Sequence, residues 1–328
     1  MDLEQQTRFN YFSKFVSPQH KGIEIGPLTR PTFPPETGYH VDSLDHADTE
    51  SLIKKYAQDP NIDVSEIQPT DWVWSGGPYT SIPDIPKDFD FLVSCHSIEH
   101  SEDLVQFLRD CSDLLKQDGL VFLTVPDKRL EFDFYRPTTT LGDVLMGHHF
   151  ATALDFKARV DELEFAATLG SEIAWTEVRG VQAAIAGKRP TPIRDDTRLF
   201  ELLSEIDKWA EESGYRDGHR WVFEPISLWR ILEGLRQLGL TDLVVSDYQQ
   251  GANCEFMMTL TKNADAARRV SFDLDKYRET LVPPSFSRRG LLSAFEARRA
   301  RVLAEAVFRK LGRAPRAILR RVKSALTR

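Results

Sequence analysis

Cysteine is scarce in this chain: Cys95, Cys111 and Cys254 are the only three in 328 residues, and no two form a CxxC pair. An odd, widely spaced set of thiols excludes a disulfide scaffold and a cysteine-based zinc site, and fits a reducing compartment. No run of about 18 apolar residues occurs, so no segment is expected to span a membrane. The opening MDLEQQTRFN is polar and acidic and lacks the pattern of a secretory signal. The expected location is therefore cytoplasmic. Internal repeats are also absent, which sets solenoid and propeller architectures aside. What the chain does have is 41% apolar residues, enough for one sizeable α/β domain with additions or for two domains. Its formal charge of −8 conceals a division, because residues 266–328 carry 17 basic and 5 acidic side chains, a net of +12. The remaining 265 residues carry a net of −20, and such an acidic body would repel nucleic acid, which is not expected as a partner.

Periodicity gives the organisation. Phe9, Phe12, Phe15 and Val16 recur at helical spacing within 1–20, followed by a short strand over 22–25 and a proline-rich loop. A second strand over 39–42 ends in an acid, a helix covers 48–56, and a third strand covers 71–74. The most informative stretch is 90–129: an apolar run ends in His-Ser-Ile-Glu-His, an amphipathic helix over 102–117 ends at a glycine, and a second apolar run closes in Pro-Asp-Lys-Arg. The strands there are expected at 89–93 and 120–125. Strand–helix–strand units of this kind place their ligands at the carboxyl ends of the strands. Residues 131–219 break the alternation with helices expected at 151–169 and 196–213, and read as an inserted helical cap or lid. A helix over 225–238 and strands over 243–248 and 255–260 resume it. Their short turn makes that strand pair antiparallel. The expected fold is thus α/β, a Rossmann-like doubly wound, mostly parallel sheet with one antiparallel strand. It divides into a cofactor-binding half (1–130), a cap (131–219), completion of the sheet (220–265) and a basic helical C-terminal arm (266–328).

The loop after the first strand holds one glycine. Gly26 is followed by Pro27, Leu28, Thr29 and Arg30, whereas a pyrophosphate-binding turn needs three glycines for close backbone approach. A single glycine still allows a turn beside a small ligand. Glu24 adds a negative charge, which suits a cationic ligand head, and Asp42 at the next strand end could bind a ribose diol. In sequence, Glu24-Ile-Gly26-Pro27, Tyr39-His-Val-Asp42, Phe89-Asp90-Phe91, His96-Ser-Ile-Glu99-His100 and Leu120-Val-Phe-Leu-Thr-Val-Pro126-Asp127 resemble successive motifs of the class I S-adenosylmethionine-dependent methyltransferases. The resemblance covers about 20–130 and, more loosely, 220–262. It implies S-adenosylmethionine as the cofactor, with Glu24, Gly26 and Pro27 at its methionine portion, Asp42 on its ribose and His96 near the methionine end. The adenine contacts stay unassigned, since Ser75 stands where such proteins often carry an acid. A catalytically idle, methyltransferase-like scaffold is the alternative from another class.

His96-x-x-Glu99-His100 also spells the inverted zinc-protease signature, in which two His share a helix face. Here His96 directly follows a buried strand and the helix starts near Ser101, so a zinc hydrolase is the lesser reading and no metal site is expected. Transfer to a hydroxyl needs a general base, for which His is well matched near neutral pH. His96, His148 and His149 are the catalytic candidates, with His219 as a further base. Asp127, Arg129 and His219 are candidates for substrate binding. Polar residues of the inserted region (Arg136, Thr138–Thr140, Asp143, Arg194, Asp195, Arg220), with Trp175, Trp209 and Trp221, suggest O-methylation of a sugar, a glycan intermediate or another small polar acceptor. In 290–328, apolar residues recur among Arg and Lys. That amphipathic basic pattern fits a peripheral contact with an anionic membrane or an acidic protein partner, or docking on the chain's own acidic body.

Overall fold

Apolar side chains line both faces of the segment Phe89–Cys95, the mark of a strand in the middle of a parallel sheet. The computed structural model describes residues 1–193, 196–204, 218–263 and 265, and there the strands are β1 (Lys21–Ile25), β2 (His40–Asp45), β3 (Trp72–Val73), β4 (Phe89–Cys95), β5 (Leu115–Pro126), β6 (Ala167–Thr168), β7 (Thr191–Pro192), β8 (Val244–Gln250) and β9 (Glu255–Thr261). The helices are α1 (Leu3–Phe12), α2 (Thr49–Tyr56), α3 (Leu104–Asp113), α4 (Leu141–His149), α5 (Ala151–Phe165), α6 (Glu177–Ile185), α7 (Asp196–Ser204) and α8 (Pro225–Gln237). Seven strands form one sheet in the order β3-β2-β1-β4-β5-β9-β8. β1 to β5 are parallel, and β9 is antiparallel to both its neighbours, β5 and β8. This is the mostly parallel, Rossmann-like sheet that the sequence predicts, with its reversed strand one place from the edge.

Alternation along the central strands divides the core in two. Val121, Leu123 and Val125 of β5, with Phe256, Met258 and Leu260 of β9, join α3 and α8 in the larger cluster. Phe122 and Met257 point the other way, into an aromatic layer of Tyr11 and Phe12 from α1 with Phe33 and Phe91. Phe12 stacks on Phe122 at 4.6 Å between ring centroids. Gly22 of β1 makes room for this layer, because a Cβ there would lie 2.3 Å from the Phe91 ring.

Several boundaries differ from those expected. β2 runs three residues further, to Asp45, because Ser43 and Leu44 continue the pairing with Glu24 and Ile25 of β1, and Leu44 is buried in the larger core. α3 is shorter at both ends. Asp103 caps it by accepting from the Val105 and Gln106 amides, and the chain turns at Leu114 so that Leu115 pairs with Phe89. Region 131–219 holds α4, α6 and the small β6–β7 pair besides the two expected helices. α4 lies against α3 and α8, and Val144 and Leu154 enter the larger core, so this segment is tied into the main fold. The end of the second expected helix with Trp209, the pair Arg194–Asp195, and the basic arm from 266 lie outside the described residues.

Candidate active site

The carboxyl tips of β1, β2 and β4, with the loop after β3 and the start of α3, surround a cleft of about 480 Å³. That lies within the range of about 300–1,000 Å³ usual for small-molecule sites. At the end of β1, Gly26 has a φ of 60° and donates its amide to the Leu44 carbonyl at 2.8 Å. A Cβ on Gly26 would meet nothing within 4 Å, so conformation and not crowding selects glycine there. At the end of β2, Asp45 accepts from the His46 amide at 2.7 Å and lies 2.6 Å from His46 Nδ1. The β2–β3 side of the cleft is apolar, with Leu44, Leu52, Trp74 and Tyr79 among its walls. Asp110 also lines it; burial pushes this carboxyl up to about 6, opposed by the hydrogen bond from Gln106.

His96 directly follows β4, and its φ of 49° is rare for a residue with a Cβ. Such backbone strain persists only where the surroundings hold it. Three contacts do so. The His96 amide donates to the Thr124 carbonyl at 3.0 Å, its Nε2 lies 2.8 Å from Glu255 Oε2, and its Nδ1 is 3.7 Å from Glu99 Oε1. Glu255 in turn takes two hydrogen bonds from Arg8 of α1, at 3.0 and 2.5 Å. Burial works to lower the His96 pKa, but the Glu255 hydrogen bond and the charges of Glu99 and Glu255 outweigh it and raise it above its ordinary value. Glu255 is held below the usual carboxylate range, because His96 and Arg8 overcome the effect of its burial.

Of the residues singled out in the sequence, Gly26, His96 and His100 line the cleft. Pro27 follows Gly26 in the same loop without lining it. Glu24 is fully buried behind the tip and accepts from the Thr32 amide at 3.0 Å through both oxygens; burial pushes it up to about 7. Asp42 stands three residues before the end of β2 and accepts from Trp72 Nε1 at 3.1 Å, outside the cleft. Because β2 is longer than expected, the acid at its tip is Asp45 instead. Asp127 does not face the cleft either. It is wholly buried and forms a two-point ion pair with Arg129, one arm at 2.8 Å, which occupies both candidates with each other. His148 sits behind the cleft wall, its Nδ1 2.7 Å from Oδ2 of the cleft residue Asp103. His149 is exposed beyond it, its ring 4.9 Å from that of His148.

His219 belongs to a different cluster. Its Nδ1 lies 2.7 Å from Asp133 Oδ2 and 3.6 Å from Glu131 Oε1, and its ring is 5.0 Å from that of His100. The Arg220 and Trp221 amides both donate to the Glu99 carbonyl, which draws this segment against the turn after β4. Burial lowers the His219 pKa, but the two carboxylates override it and hold the imidazole well above its ordinary value. His96 and His100 do not share a helix face, since β4 ends at Cys95 and Ile98–His100 is a single 3₁₀ turn. The inverted zinc-protease geometry is therefore not formed. As site residues, Asp45, Asp103, Asp110, Glu255 and Arg8 are not picked out in the sequence. An acid opening the strand 255–260, apolar but for Thr259, is the one signal that points to any of them.

Residues 40–123 match the family described as a methyltransferase domain. Among solved structures, a candidate Zn-dependent alcohol dehydrogenase from Rhodobacter sphaeroides is 13% identical over 78% of this chain and 89% of its own, with a TM-score of 0.41. An S-adenosylmethionine-dependent methyltransferase from Thermotoga maritima is 11% identical over 80% and 90%, with a TM-score of 0.35. A candidate S-adenosylmethionine-dependent methyltransferase from Listeria monocytogenes is 10% identical over 80% and 99%, with a TM-score of 0.38. The search of curated proteins gives no match. The matched segment begins at the first residue of β2 and ends inside β5, so it takes in β2, β3, β4 and most of β5, and over that span the chain resembles a methyltransferase domain.

Proposed function

We propose that the chain methylates a hydroxyl oxygen of a sugar, a glycan intermediate or another small polar acceptor. The cleft suits the cofactor: an apolar side with aromatic walls for a planar base, the Asp45 carboxylate at the β2 tip for a ribose diol, and the open turn at Gly26 for the amino-acid end. S-adenosylmethionine, when bound, supplies an electrophilic methyl group on a cationic sulfur. The chain's part is to hold the acceptor in line, exclude water and take up the hydroxyl proton.

The observation that carries this reading is His96, fixed in the cleft at a strained φ by Glu255. With Nε2 engaged by Glu255, Nδ1 is the ring nitrogen able to receive a proton. The Glu255–Arg8 pair then orients the ring and stabilises its protonated form, the base-and-orienter logic of other activated sites. Base catalysis of this kind is worth roughly 10²–10⁴-fold. The test is transfer of labelled methyl groups to saccharide acceptors by wild type and His96→Gln. A loss of kcat with cofactor affinity retained supports the reading. Label reaching only proteins or nucleic acids, or an unchanged kcat in the variant, refutes it.

The net charge of +12 from residue 266 onward supports contact of the arm with an anionic membrane or an acidic partner. Co-sedimentation with anionic vesicles, with and without residues 290–328, checks it: equal binding by both forms is the result against. Among the described residues, no helix is long and apolar enough to cross a membrane.

A further inference from the structure

Glu99 is 1% exposed, and neither of its carboxylate oxygens has a hydrogen-bond partner. Leaving an ionised carboxylate buried without donors is expensive, and buried charges are ordinarily paired or bound to metal. Around it stand His100, with Nε2 3.7 Å from Glu99 Oε1, and His219. One donor atom from each of the three lies within 4.8 Å of the others. Two ligands bound at about 2.1 Å to a tetrahedral ion stand about 3.4 Å apart, so the Glu99–His100 spacing needs to close by only a few tenths of an ångström.

We propose that Glu99, His100 and His219 bind a divalent transition-metal ion such as zinc beside the cleft. The surroundings of His219 support it. Its Nδ1 is engaged by Asp133, itself held by Arg136 at 2.7 Å, which leaves Nε2 as the ligand atom. A carboxylate behind the far nitrogen of a ligating His fixes ring orientation and raises ligand basicity, and this arrangement accompanies nearly all such ligands. Charge points the same way: Glu99, Glu131 and Asp133 are all buried, and Arg136 is the guanidinium paired among them. One carboxylate with two imidazoles is a donor set for zinc, iron or nickel and not for magnesium or calcium. Three protein ligands leave a coordination position open, and His100 also lines the cleft. An acceptor hydroxyl in that position would be acidified by the ion beside His96. That role rests on the O-methylation reading; the binding site does not.

The test titrates the full-length protein, carrying no polyhistidine tag and stripped with chelator, with zinc in excess magnesium by calorimetry, with melting followed in parallel. One ion per chain at micromolar zinc and a raised Tm are expected. Glu99→Gln and His219→Ala, checked by circular dichroism, should lose the event, and Asp133→Asn should weaken it roughly tenfold as a positioning residue. No event in the wild type, or an event unchanged in both ligand variants, overturns the site. Should those variants fail to fold, imidazole nitrogen resonances of the wild type decide it: two of the eight His move on adding zinc, and none moving is the refutation. Zinc binding without saccharide methylation removes the acceptor reading and leaves the site. Saccharide methylation in a chain that binds no zinc does the reverse.

Discussion

Replacing Glu255 with Ala strands a cation. Arg8 is 5% exposed and Glu255 1%, and their two hydrogen bonds join α1 to β9 beneath the tip of β4. Removing one partner of a buried pair typically costs about 3–5 kcal/mol, because the other charge stays desolvated and unpaired. Glu4 lies 3.7 Å from the same guanidinium and is one quarter exposed, so it offers partial relief and places the expected loss near 3 kcal/mol. At roughly 2–4 °C per kcal/mol for a domain of this size, the Tm should fall by about 10 °C. The double variant Arg8→Met/Glu255→Leu, which removes both charges and keeps the volume, should recover stability to within about 1 kcal/mol of wild type. Urea unfolding with unchanged m-values reads all three species. The single variant also deprives His96 of the partner that raises its pKa, so the rising limb of the methyl-transfer pH profile should move to lower pH. A loss under about 1 kcal/mol in the single variant, or a double variant no better than it, would show that the pair does not carry this load.

Asp45→Asn should weaken S-adenosylmethionine binding by roughly 10–100-fold at nearly unchanged Tm, since a charged hydrogen bond is worth about 1.5–3 kcal/mol, whereas Asp42→Asn should leave affinity alone; calorimetric titration of both separates the two acids. Gly22→Ala drives a Cβ to 2.3 Å from the Phe91 ring and should cost about 1–3 kcal/mol in urea unfolding, and a neutral result would mean the aromatic layer is loosely packed. Glu24 in the folded chain titrates at about 7, above its ordinary 4.5, so the folded state holds the proton more tightly than the unfolded one. Stability should therefore fall as pH rises from 4.5 to 7, by an amount on the order of 3 kcal/mol, and change no further above that. Glu24→Gln should flatten this slope, and parallel pH–stability curves for the two proteins would contradict it.

The strand–helix–strand unit around 90–125 was legible because its determinants are local. β4 and β5 carry continuous apolar runs, 91–93 and 120–123, and Asp103 caps α3 within three residues of where it is needed. The end of β2 was not legible, for a local reason too. His40-Val-Asp-Ser-Leu-Asp contains two acids three apart, and only the burial of Leu44 under the sheet decides that the strand continues past the first. Three residues is an odd number, so the two carboxylates emerge on opposite faces, and misplacing the strand end exchanges a Trp72 partner for a cleft acid. Asp127 and Arg129 misled differently. Their position past β5 is right for a cleft residue, but opposite charges two apart satisfy each other more cheaply than either could reach out.

The two halves of the site therefore differ in how they are encoded. The cleft itself is assembled mostly from the ends of β1, β2 and β4, each within a few residues of a glycine, an acid or a strand terminus that can be read in order. The charged clusters behind the cleft are assembled from side chains far apart in sequence: Arg8 with Glu255 at a separation of 247, His96 with Glu255 at 159, and His219 with Asp133 at 86. Each of these residues looks ordinary in its own neighbourhood, and becomes chemically distinct only when burial brings like charges and unpaired carboxylates together. A tip-borne cofactor site can be kept while distant residues are exchanged. This is why the likeness to a methyltransferase domain over residues 40–123 bears on the tip-borne half of the cleft, and an acceptor has to be argued from charges that no short motif contains.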